Sequence, residues 1–261
     1  MSKHNYGGFY KRAHNFFSQL FKKVDLQNPS QRVLRQHFIT EVKKHLPLSA
    51  SDEQRLKKAF NFSFKEHRLT QKRDSGEAYI FHPIRCTLVI VWAQALYGVY
   101  DLEVILDMLL HDCFEEAVGG IKVQLIVRSK VEMYFGHERA FDTLCLTKQK
   151  ERCETNTMNF ERILRCGLWR VPFAKVVDRT DNVFTIGAVS SDRRERKLAE
   201  TEHWFGAIGD KLHDLLEKET DSGRLKPPRA WINLAEFLIG YLQYAVKEER
   251  GKRKSSHVPQ C

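Results

Sequence analysis

Apolar residues recur three and four positions apart along almost the whole chain, and alternating stretches bounded by turn dipeptides are missing. The first spacing lines up side chains on one face of a helix, whereas a half-buried strand needs strict alternation. The chain is therefore expected to be all-α. Pro29-Ser30 and Pro47-Leu48-Ser49 bracket a helix over Gln31 to His45, and Ser51-Asp52-Glu53 opens the next, which runs to about Arg68. A polar loop from Gln71 to Glu77 leads to a helix entered at Pro83 and continuing to about Ala95, so that His82 lies at a helix start facing a loop. Further helices are expected from Leu102 to about Val118, Lys122 to Tyr134, Glu138 to Leu146, Met158 to Leu168, Pro172 to Ile186, Asp192 to Glu219 and Arg229 to Glu249. Residues Lys150 to Thr157 read as a loop, and Gly251 to Cys261 as a disordered tail. Phe9, Phe16, Phe17, Leu20 and Phe21 against Lys11, Arg12, Lys22 and Lys23 give residues 9 to 24 a basic amphipathic pattern, expected to pack on its own domain.

Size and charge narrow the function classes. A chain of 261 residues with 42% hydrophobic content buries a substantial core. Its apolar runs are interrupted too soon to span a bilayer, which takes about 20 consecutive apolar residues. The N-terminus lacks a secretory pattern, so a cytoplasmic location is expected. Cys86, Cys113, Cys145, Cys153, Cys166 and Cys261 have no CxxC spacing and read as reduced, buried thiols. The formal charge of +10, concentrated in Lys11 to Lys23 and Lys247 to Lys254, favours anionic partners without naming one.

Against this background Leu109-Leu110-His111-Asp112-Cys113-Phe114-Glu115-Glu116 is anomalous. An unpaired charge in an apolar helix costs on the order of several kcal/mol unless a metal or an opposite charge compensates it. On a continuous helix His111 would align with Glu115, and Asp112 with Glu116. An adjacent His and Asp hold a divalent ion weakly by themselves, and the best further ligands are His82 and Asp178. Imidazole plus carboxylate suits Mn²⁺, Fe²⁺ or Zn²⁺. Taken singly, Asp112 reads equally as a carboxylate satisfied by Arg85, and Asp178 with Arg179 as an ordinary surface pair.

Five ordered segments together resemble the HD superfamily of metal phosphohydrolases, specifically the hydrolase domain of RelA/SpoT alarmone enzymes. They are Arg73-x-Ser75-Gly76-Glu77-x-Tyr79-Ile80-x-His82-Pro83, Leu109-Leu110-His111-Asp112-x-x-Glu115-Glu116, Phe135-Gly136 with Leu146-Thr147-Lys148, Lys175-x-x-Asp178-Arg179-x-x-Asn182, and Ala199-Glu200-Thr201. The resemblance covers roughly Ser51 to Leu216. It implies an HD-domain helical bundle over 51–217, an N-terminal helical extension over 1–50, and a C-terminal helix and basic tail over 218–261. It further implies a pyrophosphohydrolase that removes the 3′-pyrophosphate of (p)ppGpp, with Mn²⁺, or another divalent ion, held by His82, His111, Asp112 and Asp178. Glu115 and Glu116 would activate and orient water, while Arg73, Ser75, Asn182 and Thr185 would face the nucleotide.

The chain departs from the family pattern at Glu116, where aspartate is usual, and at Asp74, where a basic residue is common. The expected partner is a small nucleotide, with no nucleic acid and no transmembrane segment, and homo-oligomerisation is compatible with the sequence. Adenine alarmones, NADPH and nucleoside triphosphates are alternative substrates, and a non-catalytic HD-fold binding protein is the alternative from another class.

Overall fold

The computed structural model describes residues 5–22, 25, 27–67, 72–115, 120–149, 153–225 and 228–256. Among them are eleven α-helices and no strand; the nearest approach to a ladder is an isolated bridge between Lys72 and Ala78. No described helix is long and apolar enough to cross a membrane.

Three helices form the centre. α4 (Phe81–Tyr97) is buried at every position from Phe81 to Gln94 except Trp92, the pattern of a helix enclosed on all sides. It stops at Gly98, whose φ of +65° places it in the left-handed region that closes a helix at little cost when no Cβ is present. α5 (Leu102–Leu110) follows, capped by the Asp101 carboxylate, which accepts from the amides of Glu103 and Val104. α9 (Arg170–Phe184) packs against both.

The other helices enclose these three. α2 (Gln31–His45) and α3 (Ala50–Glu66) cover one side, α3 opening with a reciprocal capping box between Ser49 and Asp52. α6 (Gly120–Phe135) and α7 (His137–Leu146) form an antiparallel pair broken at Gly136, with α7 on α5 and α9. α8 (Asn156–Arg165), α10 (Ser191–Asp221) and α11 (Pro228–Ser256) complete the shell around α9. α1 (Tyr6–Lys22) lies on α11, where the Phe9 ring sits 5.0 Å from Phe237 and 4.9 Å from Tyr241.

Three expectations are corrected. The helix carrying the acidic cluster ends at Leu110, and residues 111–115 are turns. The reason is local: His111 Nδ1 donates to the Met108 carbonyl at 2.7 Å, taking the acceptor that the Asp112 amide would use in a continued helix. Second, α11 continues to Ser256 where a disordered tail was expected from Gly251; residues 257–261 lie outside the described part. Arg250 pairs with Glu202 at 2.6 Å and with Glu195, and buried Glu249 pairs with Arg194 at 2.7 Å, fastening the end of α11 to α10. Third, the cysteines are not uniformly buried: Cys153 is exposed and Cys166 is half-buried.

Beneath the centre lies a buried ionic cluster. The Arg139 guanidinium, 1% exposed, meets Asp107 at 3.0 Å, Asp142 at 3.0 Å and Glu103 at 3.1 Å, joining α7 to α5. Burial pushes the Asp107 carboxyl well up, and Arg139 opposes that shift. Arg139→Ala is expected to leave Asp107 and Asp142 to Arg170, at 3.5 and 3.0 Å, and Glu103 to Arg55, at 2.7 Å, and to cost up to about 3–5 kcal/mol of stability, read as a lowered urea midpoint. A midpoint unchanged from the wild type would show that the cluster contributes nothing.

Candidate metal centre

The site forms where α4 begins, α5 has just ended and α9 passes its midpoint. His82 is the second residue of α4, and its amide donates to the Tyr79 carbonyl at 3.0 Å. It lies at a helix start, as expected, but its ring is 1% exposed and faces the other helices. His82 Nε2 stands 3.2 Å from His111 Nε2, 3.3 Å from Asp112 Oδ2 and 3.2 Å from Asp178 Oδ1. His111 Nε2 is also 3.3 Å from Asp112 Oδ2. The four residues, drawn from positions 82 to 178, thus point one electron-rich atom each at a common volume.

Hydrogen bonds on the far sides of both rings decide which nitrogen faces that volume. The Met108 carbonyl only accepts, so His111 Nδ1 carries the hydrogen and a neutral ring turns the Nε2 lone pair inward. His82 Nδ1 lies 2.7 Å from Asp181 Oδ2, which has the same effect. Two lone pairs and two carboxylate oxygens therefore face one another, an arrangement that repels unless a cation or a proton sits among them. Burial on its own would raise the Asp112 carboxyl, yet positive charge and N–H donation from the side of His111 and His82, the place a cation would take, hold it well below the usual range. The same burial at Asp178 is outweighed by Lys175, whose Nζ is 2.8 Å from Oδ2, and by His82. These are the donors and charges a divalent ion requires.

Cys86 is also close, but on the wrong side. Its Sγ is 3.6 Å from His82 Nδ1, behind the ring, and burial pushes the thiol up to about 11, leaving it protonated and a poor ligand.

The four residues line or adjoin a cavity of ≈ 670 Å³ whose floor includes His82, Asp112 and Asp178. Its walls carry six cations: Lys148, Lys175, Arg179, Arg193, Arg196 and Lys197. Glu115 lines the cavity, with its Oε2 3.5 Å from the Lys148 amide nitrogen. Glu116 lies outside the described residues.

The residues expected to face the nucleotide separate into three groups. Asn182 lines the cavity and donates to Asp178 Oδ1 at 2.6 Å. Arg73 and Thr185 lie behind it: Arg73 reaches Asp181 Oδ2 at 2.9 Å, Asn182 Oδ1 at 2.8 Å and Thr185 Oγ1 at 3.2 Å. Ser75 is exposed on the turn that Gly76, at φ +81°, allows, away from the cavity lining. Asp74, the departure from the family pattern, pairs with Arg193 at 3.0 Å.

Sequence reasoning passed over Asp181, Tyr79 and the basic wall. Asp181 follows Asp178 by one helical turn, and that spacing was the available signal. Arg85, allowed by the sequence as a partner of Asp112, instead pairs with Asp181 and Glu77. Tyr79 donates its hydroxyl to Asp112 Oδ2 at 3.0 Å. The cations that line the cavity, Lys148, Lys175, Arg179, Arg193, Arg196 and Lys197, lie outside the two terminal pieces that the sequence marks as basic.

No family model matches the chain. It is 27% identical over 208 residues to the bifunctional (p)ppGpp synthase/hydrolase SpoT of Escherichia coli K12, covering 77% of this chain and 27% of that protein. It is 27% identical over 195 residues to the guanosine-3′,5′-bis(diphosphate) 3′-pyrophosphohydrolase of Vibrio cholerae, covering 70% of this chain and 25% of that one. The resemblance is to RelA/SpoT-type proteins. The GTP pyrophosphokinase rsh of Brucella melitensis is 25% identical over 222 residues, 81% of this chain and 28% of its own length. The chain thus spans about a quarter of the length of the curated relatives it matches.

One buried group beside the site yields a pH prediction. His67 is 1% exposed, stacks on Tyr79 at 5.2 Å, and is pushed down to about 3 by burial, with His111 and His82 adding to the effect and Asp112 opposing it. The unfolded imidazole titrates near 6.5, so between about 6.5 and 3 the unfolded chain holds the extra proton. Its contribution to stability is full above that window and falls as pH falls, by up to about 1.4 kcal/mol per pH unit. His67→Phe is expected to flatten the acid side of a denaturation series against pH; identical slopes for variant and wild type would refute the assignment.

Proposed function

We propose that the chain is a metal-dependent pyrophosphohydrolase that removes the 3′-pyrophosphate of guanosine tetra- and pentaphosphate, giving GDP or GTP and pyrophosphate. The observation that carries this reading is the convergence of His82, His111, Asp112 and Asp178 on one point, at the floor of a cavity walled by six cations. Mn²⁺ is the proposed ion, held by those four side chains; when bound, it supplies charge neutralisation at the attacked phosphorus and acidifies the attacking water. The relatives named for (p)ppGpp hydrolysis support the choice of substrate.

The remaining steps fall to residues of the chain. Lys148, Lys175, Arg179, Arg193, Arg196 and Lys197 offset the charge of a substrate bearing two phosphate chains, one at each end of the ribose. Glu115 is the proposed general base, taking a proton as the water oxygen attacks the phosphorus attached to the 3′-oxygen. A base so placed contributes about 10²- to 10⁴-fold. The 3′-oxygen leaves with the ribose and takes up a proton, and the attacking oxygen ends on pyrophosphate. Asn182 and Lys175 hold the Asp178 carboxylate from both oxygens during this step. A polar, cation-lined cavity also suits NADPH, adenine alarmones and nucleoside triphosphates, so base preference is part of the proposal and not a consequence of the charge.

Mn²⁺-loaded protein is expected to release pyrophosphate from ppGpp and pppGpp, and in the same panel to act poorly on adenine alarmones and GTP, read as pyrophosphate, and on NADPH, read as inorganic phosphate. Chelation should abolish turnover and Mn²⁺ restore it. Glu115→Gln should lower kcat at least about 100-fold with a small change in KM. A folded, Mn²⁺-loaded protein inert towards both guanine alarmones would defeat the proposal, and turnover confined to another nucleotide would replace its substrate.

A further inference from the structure

Arg73 has no direct contact with any of the four converging side chains, yet it is one hydrogen bond removed from two of them. Its Nη1 donates to Asp181 Oδ2 at 2.9 Å, and the same oxygen is 2.7 Å from His82 Nδ1. Its Nη2 donates to Asn182 Oδ1 at 2.8 Å, and the Asn182 amide donates in turn to Asp178 Oδ1 at 2.6 Å. The Arg73 side chain is 12% exposed and its terminal nitrogens are engaged in these contacts, with Thr185 as a third acceptor at 3.2 Å.

Asp181 is held from its other side as well. Arg85 Nε donates to its Oδ1 at 2.5 Å and Nη2 to its Oδ2 at 3.1 Å, while the remaining guanidinium edge of Arg85 lies on Glu77 at 2.7 and 2.9 Å. Two arginines and two carboxylates, Asp181 and Glu77, thus balance in charge, and together they fix Asp181 Oδ2 against the back of the His82 ring. A carboxylate behind a histidine sets the ring's orientation and strengthens the opposite nitrogen as a ligand.

We infer that Asp181 is a positioning residue for the metal centre, and that Arg73 acts on that centre through Asp181 and Asn182 before any nucleotide arrives. This rests on the reading of His82 and Asp178 as ligands. It gives Arg73 a role different from a nucleotide contact: the guanidinium is committed to the supports of two ligands, and the nucleotide reaches it only by competing with Asp181 and Asn182. Metal affinity and nucleotide affinity are then linked through one residue, and the linkage is reciprocal.

The test uses the full chain, metal-free, titrated with Mn²⁺ by calorimetry with no nucleotide present. Arg73→Gln and Asp181→Asn are each expected to weaken Mn²⁺ binding by about 10- to 100-fold, the range typical of lost supporting hydrogen bonds. The double variant is expected to be weaker than Asp181→Asn alone, because the Asn182 branch is lost with Arg73, yet to fall short of the product of the two single losses, because the Asp181 branch is shared. Glu77→Gln, which alters only the carboxylate that meets Arg85 and keeps the backbone bond from the Arg73 amide, should change affinity by less than either. Arg73→Lys keeps the charge and loses the fork, and is expected to fall between Arg73→Gln and the wild type; it also serves if Arg73→Gln does not fold. Co²⁺ in place of Mn²⁺ should give an absorption spectrum displaced in the variants at saturating metal, which a general loss of stability does not produce. Wild-type Mn²⁺ affinity in Arg73→Gln and Arg73→Lys, with only KM for nucleotide raised, would overturn the inference while leaving the proposed function intact. A wild-type chain that binds no Mn²⁺ would overturn both.

Discussion

Two imidazoles whose rear nitrogens are both hydrogen-bonded turn their front nitrogens toward each other, here at 3.2 Å, and without a proton or a cation between them those nitrogens oppose lone pair to lone pair. With Asp112 and Asp178 added, four electron-rich atoms face one another between three packed helices, at the floor of the cavity. Such a cluster is the least favourable thing a helical core can contain, and the surrounding structure is organised around holding it. Lys175 and Asn182 take the two oxygens of Asp178, Tyr79 takes Asp112, and Asp181 and the Met108 carbonyl take the two rings. A cation placed among the four atoms converts their mutual repulsion into attraction, which is why the donor set argues for one more strongly than any single residue does.

The helices follow from that requirement. α4 delivers His82 from its first turn, so its N-terminal end must be buried, and it is sheathed by α2, α5, α9 and α11 to make this so. α5 must end early enough for Asp112 to swing onto the site, and His111 ends it by taking the Met108 carbonyl. One side chain thus both supplies a converging nitrogen and sets the helix boundary. The second buried ionic cluster, around Arg139, ties α5 to α7 at the opposite end of α5, so that the helix is pinned by charge at both ends.

Helix positions were legible in the sequence because local periodicity and caps determine them: Gln31 to His45 between its prolines, and the break between a helix reaching about Ala95 and the next from Leu102. The ends that were misread depend on distant partners or on side-chain chemistry. Nothing near Gly251 announces that Arg250 will find Glu195 and Glu202 on another helix, and nothing in Leu109-Leu110-His111 announces that an imidazole will displace a backbone donor. The four converging residues were legible only through the ordered segments that carry them. Asp181 was not, because its meaning lies in what stands behind His82, 99 positions earlier in the chain.

The division of charge in the cavity bears on what the site admits. Its floor is anionic, and on its walls six cations outnumber the carboxylates Glu115 and Glu200, so an anion entering toward the floor gains from the walls and loses at the bottom unless a cation is already there. Lys197 shows how concentrated the wall is: burial together with Arg193, Arg73 and Arg179 lowers its ammonium, and Asp74 only partly opposes them. Asp74 also engages Arg193 at the surface, where both side chains are about half exposed, 44% and 50%, and such a pair is worth only about 0–1 kcal/mol. A phosphate can therefore take Arg193 from Asp74 at small cost. It cannot take Arg73 from Asp181 so cheaply, because that exchange leaves a buried carboxylate short of a partner behind His82. The two residues that adjoin in sequence thus stand at opposite ends of one scale, Asp74 held by a weak surface pair and Arg73 by a buried one.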